Sequence, residues 1–379
     1  MKKYGIISLN IYEKDNNWGS ILQSYALQKF VEKQGCEVKI VDICPDFINK
    51  FEARYPIVRA LPFNLKKLKH TFRNSVLNFK TFIKRDNKFK KFIKEHYNCT
   101  KKHTKNNLLN EHFDGFIIGS DIVWNIDFTN GFDDLYFCDL PEMRKLNNIA
   151  YAPSMCDRKF LDHESRVFRQ KLLNFKYISV REKSQVEYVQ NFTEKKVYSV
   201  IDPTMLLYEK DYSEFLLDRI IKEDYVLIYT VPTDNALVEY ATKYAKSKNL
   251  KVVLIECLNI QKNNKDCISY NDAGIEEWLT LIKYADKVFT NSFHACIFSI
   301  IFKKQFHAVY RNPGKTKIAD LCDELEILNY SEKSNNYSFD INNLIDYEKV
   351  NKKLDKLKEE SAEYLINAIN EGVVKKDGK

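Results

Sequence analysis

The residues best suited to chemistry lie where one apolar run ends and another begins. Lys287-Val288-Phe289 leads into Thr290-Asn291-Ser292, and then into Phe293-His294 and the apolar stretch Ala295 to Phe302. This spacing predicts a strand that delivers a polar tip to the start of a helix. Short side-chain oxygens at such a tip can cap the helix by accepting from its first free N–H groups. The same N–H groups, with the positive end of the helix dipole, favour an anion. His294 would then stand beside an anion site with a side chain able to exchange protons near neutral pH. The plain alternative is a capped core helix with an incidental histidine. A second candidate group is Gly119-Ser120-Asp121, which follows the apolar Phe113 to Ile118. Asp121 would lie just beyond a strand end, within reach of a ligand, or serve as a cap or turn residue. Arg181 follows Tyr177 to Val180 in the same way, with Glu182 beside it as an ordinary ion-pair partner.

The elements that must position these residues alternate. Tyr4 to Leu9 reads as a buried strand, Ser20 to Lys33 has helical apolar spacing, and Glu37 to Asp42 reads as a second strand. Strand, helix, strand in so short a span makes a βαβ unit and a parallel sheet. Strands over 113–118, 148–152, 177–180 and 197–201 extend this set to Asp202-Pro203-Thr204. Strands over 225–230, 251–255, 287–290 and 306–310, with helices over 235–248, 274–285 and from Ser292, form a second. The expected division is a first α/β domain over 1–205 with a basic helical insertion at 57–105, a second over 206–345, and a helix over 346–379 packing back on the first. The loop before the first helix ends in Asn16-Asn17-Trp18-Gly19 and lies where ligands of parallel sheets gather. It lacks a G-x-G-x-x-G pattern, so no dinucleotide is expected.

Composition narrows the class. At 379 residues with 44% hydrophobic content, the chain can fill two cores. The polar run after Asn10 leaves no apolar stretch of signal-peptide length, and no apolar stretch spans a bilayer, so a cytoplasmic protein is expected. Nine cysteines without a Cys-x-x-Cys pair, and seven histidines without ligand spacing, point to reduced thiols and no metal site. The net charge of +8 is local: residues 57–105 hold fifteen Lys and Arg against Asp86 and Glu95. Apolar residues interleave these cations at helical spacing between Asn64 and Tyr97. An aromatic face packed on the protein with solvated lysines is the bland reading, and peripheral contact with an anionic membrane at its inner face the sharper one. No nucleic-acid motif accompanies the charge, so no nucleic-acid partner is expected.

Five blocks, in order, resemble the polysaccharide pyruvyl transferases: Asn17-Trp18-Gly19-Ser20-Ile21-Leu22-Gln23, Gly119 to Asn125, Ser179-Val180-Arg181-Glu182-Lys183, Asp202 to Leu207, and Ser292-Phe293-His294. The resemblance spans nearly all of residues 4 to 330. It implies two Rossmann-like domains facing across a cleft in a glycosyltransferase-B-type arrangement. It also implies phosphoenolpyruvate as co-substrate, with no further cofactor, and a cell-surface glycan or lipid-linked oligosaccharide as acceptor. With this resemblance His294 and Arg181 are the expected catalytic residues. Arg181 and, at the helix N-terminus, Asn291 and Ser292 are expected to face the donor, and the resemblance implies a further donor cation in the loop holding Arg311, Lys315 and Lys317, which are unranked. Asn17, Trp18, Gly119, Ser120, Asp121 and Trp124 line the acceptor side. Relatives usually carry glycine and glutamine where this chain has Ala295 and Ile122. A nucleotide-sugar glycosyltransferase and a catalytically silent glycan- or membrane-binding protein are the alternatives.

Overall fold

A computed structural model describes residues 1–9, 11, 17–45, 47–48, 65–105, 107–108, 111–256, 267–310, 316–334, 337–340 and 343–370, with 65–79 and 316 described by backbone alone. The first half is a six-stranded parallel sheet in the order β2-β1-β3-β4-β5-β6. Its strands are β1 (Lys3–Ile7), β2 (Glu37–Ile40), β3 (Gly115–Ile118), β4 (Ile149–Ala150), β5 (Tyr177–Val180) and β6 (Val197–Ser199). Its main helices are α1 (Trp18–Lys33), α2 (Leu65–His96), α3 (Asp162–Leu172) and α4 (Val186–Gln190). After the short α5 (Glu209–Tyr212) comes a second six-stranded parallel sheet, in the order β12-β11-β10-β7-β8-β9. It comprises β7 (Tyr225–Thr230), β8 (Lys251–Glu256), β9 (Cys267–Ser269), β10 (Lys287–Thr290), β11 (Gln305–Tyr310) and β12 (Tyr330–Glu332). The helices α6 (Asn235–Ser247), α7 (Ile275–Lys283), α8 (Phe293–Ile301) and α9 (Thr316–Glu324) alternate with these strands, and α10 (Tyr347–Asn370) follows them. The two edge strands β9 and β12 were not expected: each is three residues long and neither carries a continuous apolar run.

Strands buried on both faces explain the continuous apolar runs, as in β7, where all six residues are buried. Helix α1 is buried almost all round because the turn over Pro203–Leu206, α2 and α8 cover the sides that the sheet does not. Asn17 starts α1: its Oδ1 accepts from the Gly19 N–H at 3.0 Å.

Side chains from both halves meet at the first turn of α1. The Trp18 indole N–H donates to the Gly274 carbonyl at 3.0 Å, just ahead of α7. The same ring packs edge-on to Tyr229 of β7 and stacks near Trp278 of α7. From α2, Phe89 packs edge-on to Trp18, the Arg85 guanidinium lies 5.4 Å from the Trp18 ring centre, and Lys88 reaches Glu277 at 2.6 Å. From Arg85 to Phe92 the aromatic face of the basic helix is therefore spent inside the protein. Helix α10 lies back on the first half: the Tyr364 hydroxyl donates to the Ala150 carbonyl and Asn147 donates to the Ala368 carbonyl. Among the described residues no helix is long and apolar enough to cross a membrane.

Candidate active site

The carboxyl ends of β3, β5, β6 and β10 bring Asp121, Arg181, Asp202 and His294 together, and α9 adds Lys317. Asp202 is the centre. Its Oδ2 accepts from Arg181 Nη1 at 3.1 Å and from Ser120 Oγ at 3.3 Å, and lies 3.6 Å from His294 Nε2. Its Oδ1 accepts from the Thr204 N–H at 3.1 Å and from the Thr204 hydroxyl at 2.7 Å, which fixes the carboxylate plane. The Asp-Pro-Thr sequence builds this arrangement locally, since proline turns the chain just after the strand and the aspartate caps the turn over Pro203–Leu206. The Asp202 carboxylate, 3.6 Å from Nε2, faces the imidazole and orients the ring.

Arg181 is buried and held on two of its three nitrogens: Nε donates to Glu182 Oε1 at 3.1 Å and Nη1 to Asp202. The ion pair with Glu182 is thus present, and Ser154 donates to the same carboxylate oxygen at 2.8 Å. Nη2 has no hydrogen-bond partner, and the guanidinium lies over the Phe293 ring at 4.4 Å. An unpartnered guanidinium N–H in a buried site costs free energy unless a ligand accepts from it. Arg181, Glu182, Asp202, Phe293 and Lys317 line a narrow cleft.

Asp121 sits with φ +72, a left-handed conformation uncommon for a residue with a side chain. Its Oδ2 accepts from Ser20 Oγ at 3.2 Å, while Oδ1 lies 3.7 Å from Arg181 Nη1 and 3.8 Å from Lys317 Nζ. Gly119 precedes it at φ +113, where a Cβ would lie 2.2 Å from the Tyr151 carbonyl oxygen. The Ser120 N–H donates to Gln23 Oε1, so the first motif block orients the second.

Each charge in the cluster acts on the ionisation of its neighbours. Burial pushes the Asp202 carboxyl up, but contact with His294 and the Arg181 charge overcome it and hold the group well below the usual carboxylate range. Burial likewise opposes ionisation of Asp121, and the charges of Lys317, Arg181 and His294 lower it. For Arg181 burial works against the cation, and Glu182, Asp121 and Asp202 raise its pKa above the ordinary value. Three carboxylates against Arg181 and Lys317 leave one negative charge, which protonation of His294 cancels.

Several expected roles change with position. Trp18 and Trp124 are wholly buried, Trp18 in the contact between the halves and Trp124 stacked on Phe137 with its N–H on the Tyr136 carbonyl, so neither lines the cleft. Asn291 uses its amide to hold the loop after β7, accepting from Val231 N–H at 2.6 Å and donating to the Pro232 carbonyl at 3.0 Å. Held at both its oxygen and its nitrogen, the Asn291 amide is a scaffold for the tip. Ser292 takes the cap position of α8 but makes no side-chain cap bond; Thr290 Oγ1 instead accepts from the Ser292 N–H. Gly119 and Ser120 shape the floor beneath Asp202. Asn17 caps α1. Ala295 is buried and has no positive φ, so the helix holds alanine without strain. Ile122, half-buried, packs against the core of the first half. Arg311 and Lys315 lie outside the described residues.

Two residues went unnamed as site members in the sequence. One is Asp202, whose signal was its place after a strand end. The other is Gly19, for which a Cβ would lie 2.1 Å from both Cγ and Nδ1 of His294. The glycine makes the hollow in which the histidine ring of the other half sits. No periodicity reveals such a contact, because it joins two first turns 275 positions apart.

Two parallel sheets whose strand ends face one another across a charged cleft define an α/β protein of the glycosyltransferase-B type. A family model described as polysaccharide pyruvyl transferase matches residues 17–313, and the chain belongs to that family. Among solved structures, the Methanocaldococcus jannaschii UDP-GlcNAc 2-epimerase, crystallised with UDP-GlcNAc and UDP, is similar at 13% identity and a TM-score of 0.51, over 97% of this chain and 99% of that one. The Streptomyces nogalater glycosyltransferase SnogD aligns at 11% identity and a TM-score of 0.48, covering 97% and 98%. At 13% identity the likeness to the epimerase is one of fold. A search of curated proteins gave no significant match.

Proposed function

We propose that this protein transfers the carboxyvinyl carbons of phosphoenolpyruvate to two hydroxyls of a glycan or its lipid-linked precursor, forming a pyruvate ketal and inorganic phosphate. The observation that carries this reading, together with family membership, is the buried Arg181 with Nη2 unpartnered beside the His294–Asp202 pair. A guanidinium edge suits a carboxylate or phosphate. In the first step an acid delivers a proton to the methylene carbon as an acceptor oxygen bonds to C2, and the acceptor hydroxyl gives up its proton. In the second step the C2–O bond to phosphate breaks, phosphate leaves, and the second hydroxyl bonds to C2 and loses its proton. His294 is the group placed to move these protons, and such assistance is worth about 10² to 10⁴ in rate. Asp202 positions the ring and stabilises its cation. Lys317, half-buried and reaching Asp121 only at 3.8 Å, is a second cation for the donor.

The test is incubation of the purified chain with phosphoenolpyruvate and pooled lipid-linked oligosaccharides, following phosphate release. Acceptor-dependent release that H294A and R181A abolish supports the reading. Consumption of a nucleotide sugar, without phosphoenolpyruvate, would replace it by glycosyl transfer.

A further inference from the structure

We infer that the outward face of α2 is a binding surface for an anionic lipid bilayer. Lys80, Lys84, Lys91 and Lys94 are exposed. At 100° per residue their spacing puts all four within about 80° of the helix circumference. Phe89 and Phe92, buried against the body of the protein, lie on the opposite side. The helical register continues the same stripe through positions 66, 69 and 73, occupied by Lys, Lys and Arg. From Lys80 to Lys94 the stripe of exposed lysines runs for about 21 Å at the usual helical rise.

Its acids do little to neutralise it. Asp86 lies off the stripe and pairs with Lys90 at 2.6 Å, and Glu95 stands at its margin, 4.0 Å from Lys91. Lys84 approaches Asp272 at 3.8 Å. Such exposed pairs are weak and yield readily to a stronger anionic partner. The other cations of the helix are directed elsewhere, Arg85 onto Trp18 and Lys88 onto Glu277.

The geometry favours a plane over a nucleic-acid groove. From Arg85 to Phe92 the opposite face of the helix is packed on both halves of the protein, so the helix cannot sink into a major groove about 12 Å wide. A straight row of lysines can meet a flat layer of headgroup charge along its whole length. Ile83, 41% exposed beside the row, adds an apolar contact at headgroup depth. This surface stands independently of the proposed reaction.

The experiment is co-sedimentation of the full chain with vesicles of phosphatidylcholine, with and without phosphatidylglycerol, at low and high salt. Binding is expected only to the anionic vesicles and is lost at high salt, where the screening length shrinks. A lysine near an anionic surface contributes about fivefold in binding. The K80Q/K84Q/K91Q/K94Q variant is therefore expected to bind more than 100-fold more weakly, with an unchanged melting curve because all four side chains are exposed. Equal partitioning to neutral vesicles, or wild-type binding by the quadruple variant, overturns the inference. So does displacement from anionic vesicles by a DNA duplex at equal phosphate concentration.

Discussion

Gly19→Ala is expected to disable the site through one methyl group. The added Cβ would stand 2.1 Å from Cγ and Nδ1 of His294 and 2.6 Å from its Cβ. Ordinary carbon contacts begin near 3.5 Å, so the ring or the two first turns must separate by about 1.4 Å. A displacement of about 1 Å at a catalytic group can lower turnover about 10²-fold. Overpacking of this kind costs about 1 to 3 kcal/mol, offset by up to about 1 kcal/mol from replacing glycine within a helix. The two effects separate in a double-mutant cycle on urea stability, with G19A, H294G and the pair. Removing the histidine side chain removes all three of the nearest clashing atoms, so a coupling of at least about 1 kcal/mol is expected between the sites. Phosphate release from phosphoenolpyruvate is measured alongside for G19A. Additive stabilities, or wild-type turnover in G19A, would refute the reasoning that the glycine is the seat of His294.

Two further outcomes follow from charge. D202N removes the carboxylate that Arg181 and His294 share, and breaking a buried pair in this way typically costs about 3 to 5 kcal/mol; urea melts at neutral pH measure it. Because the folded Asp202 is more acidic than an unfolded aspartate, the unfolded chain binds the extra proton on acidification. The stabilisation is present above the unfolded value, near 3.9, and is lost as pH falls below it; the acid limb of the wild-type stability curve should therefore be steeper than that of D202N. Lys358 lies buried in α10, donating to the Leu207 carbonyl at 3.1 Å, and burial lowers its pKa from 10.5 to about 8. Here the unfolded chain holds the extra proton between those two values, so stability rises with pH across that window, by at most about 3 kcal/mol. K358M should flatten this alkaline rise and melt higher than wild type at pH 7; an unchanged pH profile would show that the amine is not desolvated.

Much of the fold was legible because parallel strands buried on both faces leave unbroken apolar runs. Tyr225 to Thr230, Tyr177 to Val180 and Lys287 to Thr290 match their observed strands residue for residue. The short edges β9 and β12 were not legible, since an edge strand three residues long can form on backbone pairing alone. At the site, the strand-end positions of Asp121, Arg181 and His294 could be read from where apolar runs stop. Side-chain direction could not. Trp18 and Trp124 belong to matching blocks, yet their rings turn into packed interiors, and the Asn291 amide is spent on the loop after β7. The Gly19 hollow and the convergence on Asp202 depend on how two sheets far apart in sequence are set face to face.

Ketal transfer is read out by supplying wild-type protein with lipid-linked oligosaccharide and phosphoenolpyruvate isotopically labelled at C2, with product followed by carbon NMR and phosphate assay together. The label is expected in a ketal carbon bonded to two glycan oxygens, in equal amount to the phosphate released, and neither product is expected with H294A. Label recovered only as free pyruvate, or no label transferred while a nucleotide sugar is consumed, would contradict ketal transfer.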